Sequence, residues 1–229
     1  MDWLEKNLKC LENKEELDYH KLYDYVKSGK TEETECFTGE AKDGSAILGV
    51  FREEKQVMLN STYRPIQEAE KFAKKIQLTD NSIIAFMGIG NGIIVKAIAE
   101  QLNEEAQLYI YEPSKELFAF VMQHFDLSEI LSDKRIKIFV DGINEQYFDL
   151  VLTYNIDNVN VGVTILETHP KYKELFPEKF EGFSKQFKDC RTSALVNLKT
   201  IIDRQKVMVH NAIKNVAYLV HSKMTADFI

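Results

Sequence analysis

Ile84-Ala85-Phe86-Met87-Gly88-Ile89-Gly90-Asn91-Gly92-Ile93 decides how this chain is read: an apolar run, three glycines at alternate positions, then a return to apolar residues. The pattern predicts a buried strand that turns through glycine into a helix. Glycine accepts positive φ and lets a second backbone or a ligand approach where a Cβ would obstruct it. The first turn of the following helix presents N–H groups without intrahelical partners. Such a turn can cradle a nucleotide, and it can equally serve only to tighten a strand-to-helix connection.

The same alternation continues downstream. Residues 83–87, 107–111, 136–140, 148–153 and 161–166 read as strands, with helices over 93–102 and 115–125. Runs this uniformly apolar predict a parallel sheet covered on both faces and wound by right-handed crossovers.

Upstream, Trp3, Leu4, Leu8 and Leu11, then Leu17, Leu22, Tyr25 and Val26, mark two short amphipathic helices on either side of Asn13-Lys14-Glu15. Residues 34–38, 45–51 and 56–60 predict an antiparallel meander, and Pro65 opens a helix with Ala69, Phe72, Ala73 and Ile76 on one face. Beyond Pro177 a long helix carries an apolar stripe that includes Leu195, Leu198, Ile201, Met208, Ile213 and Val216. Its end at Ala226-Asp227-Phe228-Ile229 is expected to pack on sequence further along a longer chain or on a second copy, so a homo-oligomer is one expectation. The fold class is therefore α/β: a Rossmann-like open, mostly parallel sheet with helices on both faces. A small helical and β-meander subdomain precedes it, and a long helical segment follows. The expected boundaries are 1–62, 63–170 and 171–229.

Twenty-nine basic against thirty-six acidic residues gives a net charge of -7 over 229 residues, with 45% hydrophobic side chains. An acidic balance argues against nucleic acid or an anionic membrane as general partners. Met1-Asp2-Trp3 does not open a signal peptide, and no apolar run reaches the roughly 18 residues of a membrane span, so a cytoplasmic location is expected. Cys10, Cys36 and Cys190 are too scattered for a disulfide framework or a zinc site and read as free thiols. His20, His124, His169, His210 and His221 include no i, i+4 pair, so no metal is expected. The basic residues of the long helix, Lys185 to Lys214, read as a solvated face or as a surface for an acidic partner.

Glu112 lies about 20 residues beyond Gly92, directly after an apolar strand, where an acid can accept hydrogen bonds from ribose hydroxyls. Pro113 holds it out of the α region, and Ser114 is placed to cap the next helix. The alternative is that Glu112 only receives a backbone N–H at its turn. Asp141-Gly142 adds a polar turn on the same sheet edge. The candidate cofactor-binding set is therefore Gly88, Gly90, Asn91, Gly92, Glu112 and Asp141; no catalytic residue can be named.

Residues 83–142 resemble the S-adenosylmethionine-dependent methyltransferases, with their Gly-x-Gly-x-Gly turn and acid after the second strand. Two departures stand against a working methyltransferase. Phe86 occupies the place of the acid that usually lies two residues before the first glycine, and Asn155-Ile156-Asp157-Asn158 does not match the Asn/Asp-Pro-Pro-Tyr/Phe motif.

A second resemblance covers more of the chain. Leu59-Asn60-Ser61-Thr62-Tyr63-Arg64-Pro65-Ile66-Gln67-Glu68-Ala69-Glu70, Gly88-Ile89-Gly90-Asn91-Gly92, Tyr111-Glu112-Pro113-Ser114 and Asn211-x-x-x-Asn215 are similar, in order and spacing, to the N-terminal region of the motility-associated-factor (Maf) glycosyltransferases. In that family the region precedes a catalytic domain related to sialyltransferases and to 6-hydroxymethylpterin pyrophosphokinase-like proteins, and the whole proteins are implicated in adding nonulosonic acids to flagellin. The resemblance implies an accessory segment that is not catalytic on its own. Its candidate ligands are a nucleotide sugar or S-adenosylmethionine, and its candidate partners are flagellin or a transferase domain of the same chain.

Overall fold

The structure, a computed structural model, describes residues 2–12, 14, 16–29, 35–52, 55–159 and 164–221, with the side chains of 156–159 and 217–221 excepted. Two amphipathic helices, α1 (Trp3–Glu12) and α2 (Tyr19–Lys27), open the chain. They are followed by the meander of β1 (Cys36–Glu40), β2 (Ala46–Arg52) and β3 (Lys55–Met58), paired antiparallel in that order. The helix α3 (Pro65–Ala73) starts with proline at its first position, where the missing N–H is no loss.

The α/β part contains β4 (Ile83–Met87), α4 (Ile93–Ala99), β5 (Gln107–Glu112), α5 (Lys115–His124), α6 (Ser128–Ser132) and β6 (Ile136–Val140). It continues through α7 (Phe148–Val159), β7 (Thr164–Thr168), α8 (Tyr172–Leu175) and the 45-residue α9 (Pro177–His221). The four strands pair in parallel in the order β6-β5-β4-β7. Every β4 residue is buried, as expected of a central strand covered on both faces. One cover is α3, whose Phe72 meets Phe86 edge-on at 6.2 Å. Another is built by α7 and α9: Phe139 meets Phe148 edge-on at 5.4 Å, and Tyr111 stacks on Phe183 at 5.1 Å.

The strand expected over 148–153 is instead the first half of α7. Its apolar residues Phe148 and Leu152 are buried while Leu150 and Tyr154 are exposed, an i, i+4 pattern that puts one helix stripe on the core. A short apolar run does not by itself separate these two outcomes. The following strand is β7, and residues 161–163 of its expected span lie outside the described residues, as do Asn13, Glu15, Thr34 and the terminal 226–229. Among the described residues no helix is long and apolar enough to cross a membrane.

Because β5 and β6 are laid down on one side of β4 and β7 on the other, all of them parallel, the strand order reverses between β4 and β7. In open α/β sheets ligands bind in the crevice outside the carboxyl ends of the strands at such a point. The glycine turn after β4, Glu112 at the end of β5 and the His169-Pro170 segment after β7 all lie at that edge.

Candidate functional site

The glycine turn and Glu112 meet directly. The Ile89 N–H donates to Glu112 Oε2 at 2.9 Å and the Ser114 N–H to Oε1 at 3.1 Å, while the carboxyl group is fully buried. A third donor comes from α8: the Tyr172 hydroxyl reaches Glu112 Oε2 at 2.8 Å. Burial pushes the Glu112 carboxyl up to about 7, against the pull of these three donors. The same hydroxyl accepts the Gly90 N–H at 3.1 Å, so one phenol bridges the turn and the acid.

Two glycines are fixed by what lies against them. Gly88, at φ +99°, has the Tyr172 ring so near that a Cβ would lie 2.5 Å from it. Gly90, at φ +54°, faces His169, whose Cδ2 and Nε2 would lie 3.1 Å from a Cβ. The aromatic side chains therefore occupy the space that the missing Cβ atoms vacate. Gly92, just before α4, is packed instead against Leu127 and Ile130.

His169 is held by its backbone, with its N–H donating to Met87 O at 2.8 Å. Its Nδ1 accepts the Lys171 N–H at 3.3 Å, so the proton of the neutral ring belongs on Nε2, and that buried atom has no hydrogen-bond partner. Burial lowers the imidazole to about 3 and keeps it neutral.

The other two candidates face elsewhere. Asn91 joins the turn to the meander: its Oδ1 accepts from Asn60 Nδ2 at 2.9 Å and its Nδ2 donates to Ala46 O at 3.1 Å. Asn60 in turn accepts the Leu48 N–H at 3.1 Å. Asp141 accepts the Tyr111 hydroxyl at 2.7 Å and pairs with Lys179 of α9. Ser114 caps α5 as expected, accepting the Leu117 N–H at 3.1 Å. Asn211 and Asn215 are exposed near the end of α9. Among the described residues no group of three His, Cys, Asp or Glu is placed to hold a metal. Burial raises the thiols of Cys36 and Cys190 to about 12 and about 11, which disfavours the thiolate at neutral pH.

Sequence reasoning singled out neither Tyr172 nor His169 for this site. The available signal was position: both follow the strand that completes the switch point, where side chains reach the crevice. A groove of about 750 Å³ lies beside the cradle, between the Asn60–Tyr63 loop, α3 and Pro170-Lys171, with Phe72 and Lys75 in its wall. Neither Glu112 nor any of the three glycines lines it.

The family model of the glycosyltransferase Maf N-terminal domain matches residues 34–190. This chain belongs to that family. The matched stretch contains the Maf N-terminal domain's glycine turn, Glu112, Asp141 and the block from Leu59 to Glu70, and it ends before Asn211. The fold is similar to that of the Maf glycosyltransferase from Magnetospirillum magneticum AMB-1, with a TM-score of 0.53 and 14% identity. That match covers 81% of this chain and 35% of the other, so the Maf N-terminal domain described here spans about a third of that protein. MNMC2 from Aquifex aeolicus aligns over 81% of this chain and 71% of its own, at 15% identity and a TM-score of 0.39. No curated protein matches the chain.

Proposed function

We propose that this Maf N-terminal domain is a noncatalytic, accessory part of a glycosyltransferase system that modifies flagellin with nonulosonic acids, and that its work is to position a partner. One observation carries the noncatalytic reading. Tyr172 fills the hollow over Gly88 and its hydroxyl engages both Glu112 and the Gly90 amide. The groups that a nucleotide would use are thus spent on an internal joint. That joint fixes α8, and with it the start of α9, to the carboxyl edge of the sheet.

A nucleotide- or S-adenosylmethionine-binding enzyme is the second reading, favoured by the switch point between β4 and β7 and by Glu112 at the end of β5. The residues present do not fit an adenosyl group in this conformation: Tyr172 and His169 would both have to leave the cradle first.

The cellular test is deletion of the gene in its own organism, followed by intact-mass measurement of flagellin. The accessory reading expects loss of the glycan mass, restored by the wild-type gene and by Glu112→Gln. Flagellin of unchanged mass in the deletion strain contradicts a role in flagellin modification, and a Glu112→Gln gene that produces stable protein without restoring the glycan contradicts a purely structural cradle.

A further inference from the structure

The apolar stripe by which α9 packs on the body does not stop where the body stops. Phe183, Phe187, Cys190 and Ala194 are buried, and the stripe then runs on through Leu198 and Ile201 while every residue from 199 to 216 is exposed. At 1.5 Å per residue this segment is on the order of 30 Å of helix with none of the described residues beneath it. Most of a helix's stability in a protein comes from packing its apolar face, so this stripe calls for a cover.

The sequence of the stripe indicates what the cover is. Counting outward from Gln205, residues three positions away are Ile202 and Met208, four away Ile201 and Val209, and seven away Leu198 and Ala212. Each pair is apolar on both sides, and Gln205 sits alone as a polar residue in the middle of the stripe. A pattern that reads the same in both directions is what an antiparallel, two-fold contact requires, because each residue must then fit its mirror position on an identical chain.

We infer that the exposed half of α9 pairs antiparallel with α9 of a second copy of this chain, about a two-fold axis at Gln205. Ile202 then lies against the second copy's Met208, and the bulky Leu198 against its small Ala212. The two Gln205 amides, each both donor and acceptor, satisfy one another and fix the register, as a single buried polar residue does in coiled coils.

The area is sufficient. Seven large apolar side chains of α9 that share the face of Gln205, namely Leu195, Ile201, Ile202, Met208, Val209, Ile213 and Val216, are exposed by 42% to 70%, while Val196 and Val207 face away. At roughly 60–120 Å² for a full aliphatic side chain they offer about 350 Å² of apolar surface. An interface at the small end of the specific range, about 600 Å² per partner and a little over half apolar, needs this amount. The charges beside the stripe, Arg204 and Lys206, are close to their own copies across the axis, so the two helices repel and salt should tighten the pair. An acidic partner on the same face would show the opposite salt dependence.

The test is sedimentation equilibrium of the 229-residue chain across a hundredfold range of concentration, at low and high salt. The expected result is a reversible monomer–dimer equilibrium that strengthens with salt. Ile201→Glu, which changes an exposed position, should shift it at least tenfold toward monomer without altering thermal unfolding of the body. On oxidation Gln205→Cys should give an interchain disulfide above the wild-type background, and Leu198→Cys should not, since the two Leu198 positions lie about 20 Å apart in the antiparallel pair. A monomer at every concentration, a dimer indifferent to Ile201→Glu, association weakened by salt, or cross-linking through Leu198→Cys would each overturn the proposal.

Discussion

The Tyr172 hydroxyl donates to the buried Glu112 carboxylate at 2.8 Å, and so takes a place that in dinucleotide-binding sheets falls to a ribose hydroxyl. With the Gly90 N–H held by the same oxygen at 3.1 Å, the crevice between β4 and β7 is closed by the chain's own side chain. The carboxylate at the end of β5 becomes the centre of a joint between the sheet and α8.

Tyr172→Phe keeps the ring and removes the bridge. The buried Gly90 N–H then loses its acceptor and Glu112 one of its three donors, which should cost about 1–3 kcal/mol. Tyr172→Ala should cost more, about 3–5 kcal/mol, because it also leaves a cavity. Urea unfolding measures both, and a Phe variant within about 0.5 kcal/mol of wild type would contradict the bridge.

Gly88→Ala should be far more damaging than Gly44→Ala. Both residues have positive φ, +99° and +82°, so backbone strain is common to the pair. Only at Gly88 does the new methyl group meet an aromatic ring at 2.5 Å, whereas at Gly44 the nearest atom is 3.9 Å away. Overpacking adds about 1–3 kcal/mol to the strain, and Gly88→Ala combined with Tyr172→Ala should fall short of the sum of the single costs. Strict additivity in urea unfolding would show that the ring and the glycine are not coupled.

The layers of this fold were readable from particular residues, and the site only in part. Ile83 to Met87 is apolar throughout because both faces are covered, and Pro65 marks a helix start because its ring suits that position; both readings hold. Phe148 to Thr153 misled because a short apolar run satisfies a strand as well as a helix, and the deciding burial of Phe148 and Leu152 is a tertiary fact. The contact between the glycine turn and Glu112 could be anticipated from spacing. The filling of the cradle could not, since Tyr172 is 60 positions from Glu112 and nothing local to it announces where its ring will lie.

The pH dependence of stability should carry the mark of Glu112. Its folded pKa, about 7, is above its ordinary value of 4.5, so the folded state holds the proton more tightly. The resulting stability is complete below about pH 4.5 and is lost as pH rises through about 7, an effect on the order of 3 kcal/mol. His169 acts in the opposite sense: its folded pKa of about 3 lies below 6.5, so its contribution is complete above pH 6.5 and is lost on acidification. Comparison with Glu112→Gln isolates the first effect. The melting-temperature gap between wild type and variant should be larger at pH 5 than at pH 8; a gap that widens toward pH 8 would contradict the raised carboxyl.

Asn60 and Asn91 should behave as one unit joining the meander to the glycine turn. Asn60→Ala and Asn91→Ala each remove one side of a 2.9 Å hydrogen bond between partly buried amides. A double-mutant cycle should return a coupling of about 0.5–3 kcal/mol, and a coupling of zero would mean that the two elements are held together elsewhere.

The sealed cradle is tested most directly by titration calorimetry of the purified chain with S-adenosylmethionine and with nucleotide sugars. With Tyr172 in the cradle, neither ligand should give saturable heat at the glycine turn, in the wild type and in Gly90→Val alike. Stoichiometric binding by the wild type that is abolished by both Gly90→Val and Glu112→Ala would contradict it, and would place a ligand where Tyr172 now stands.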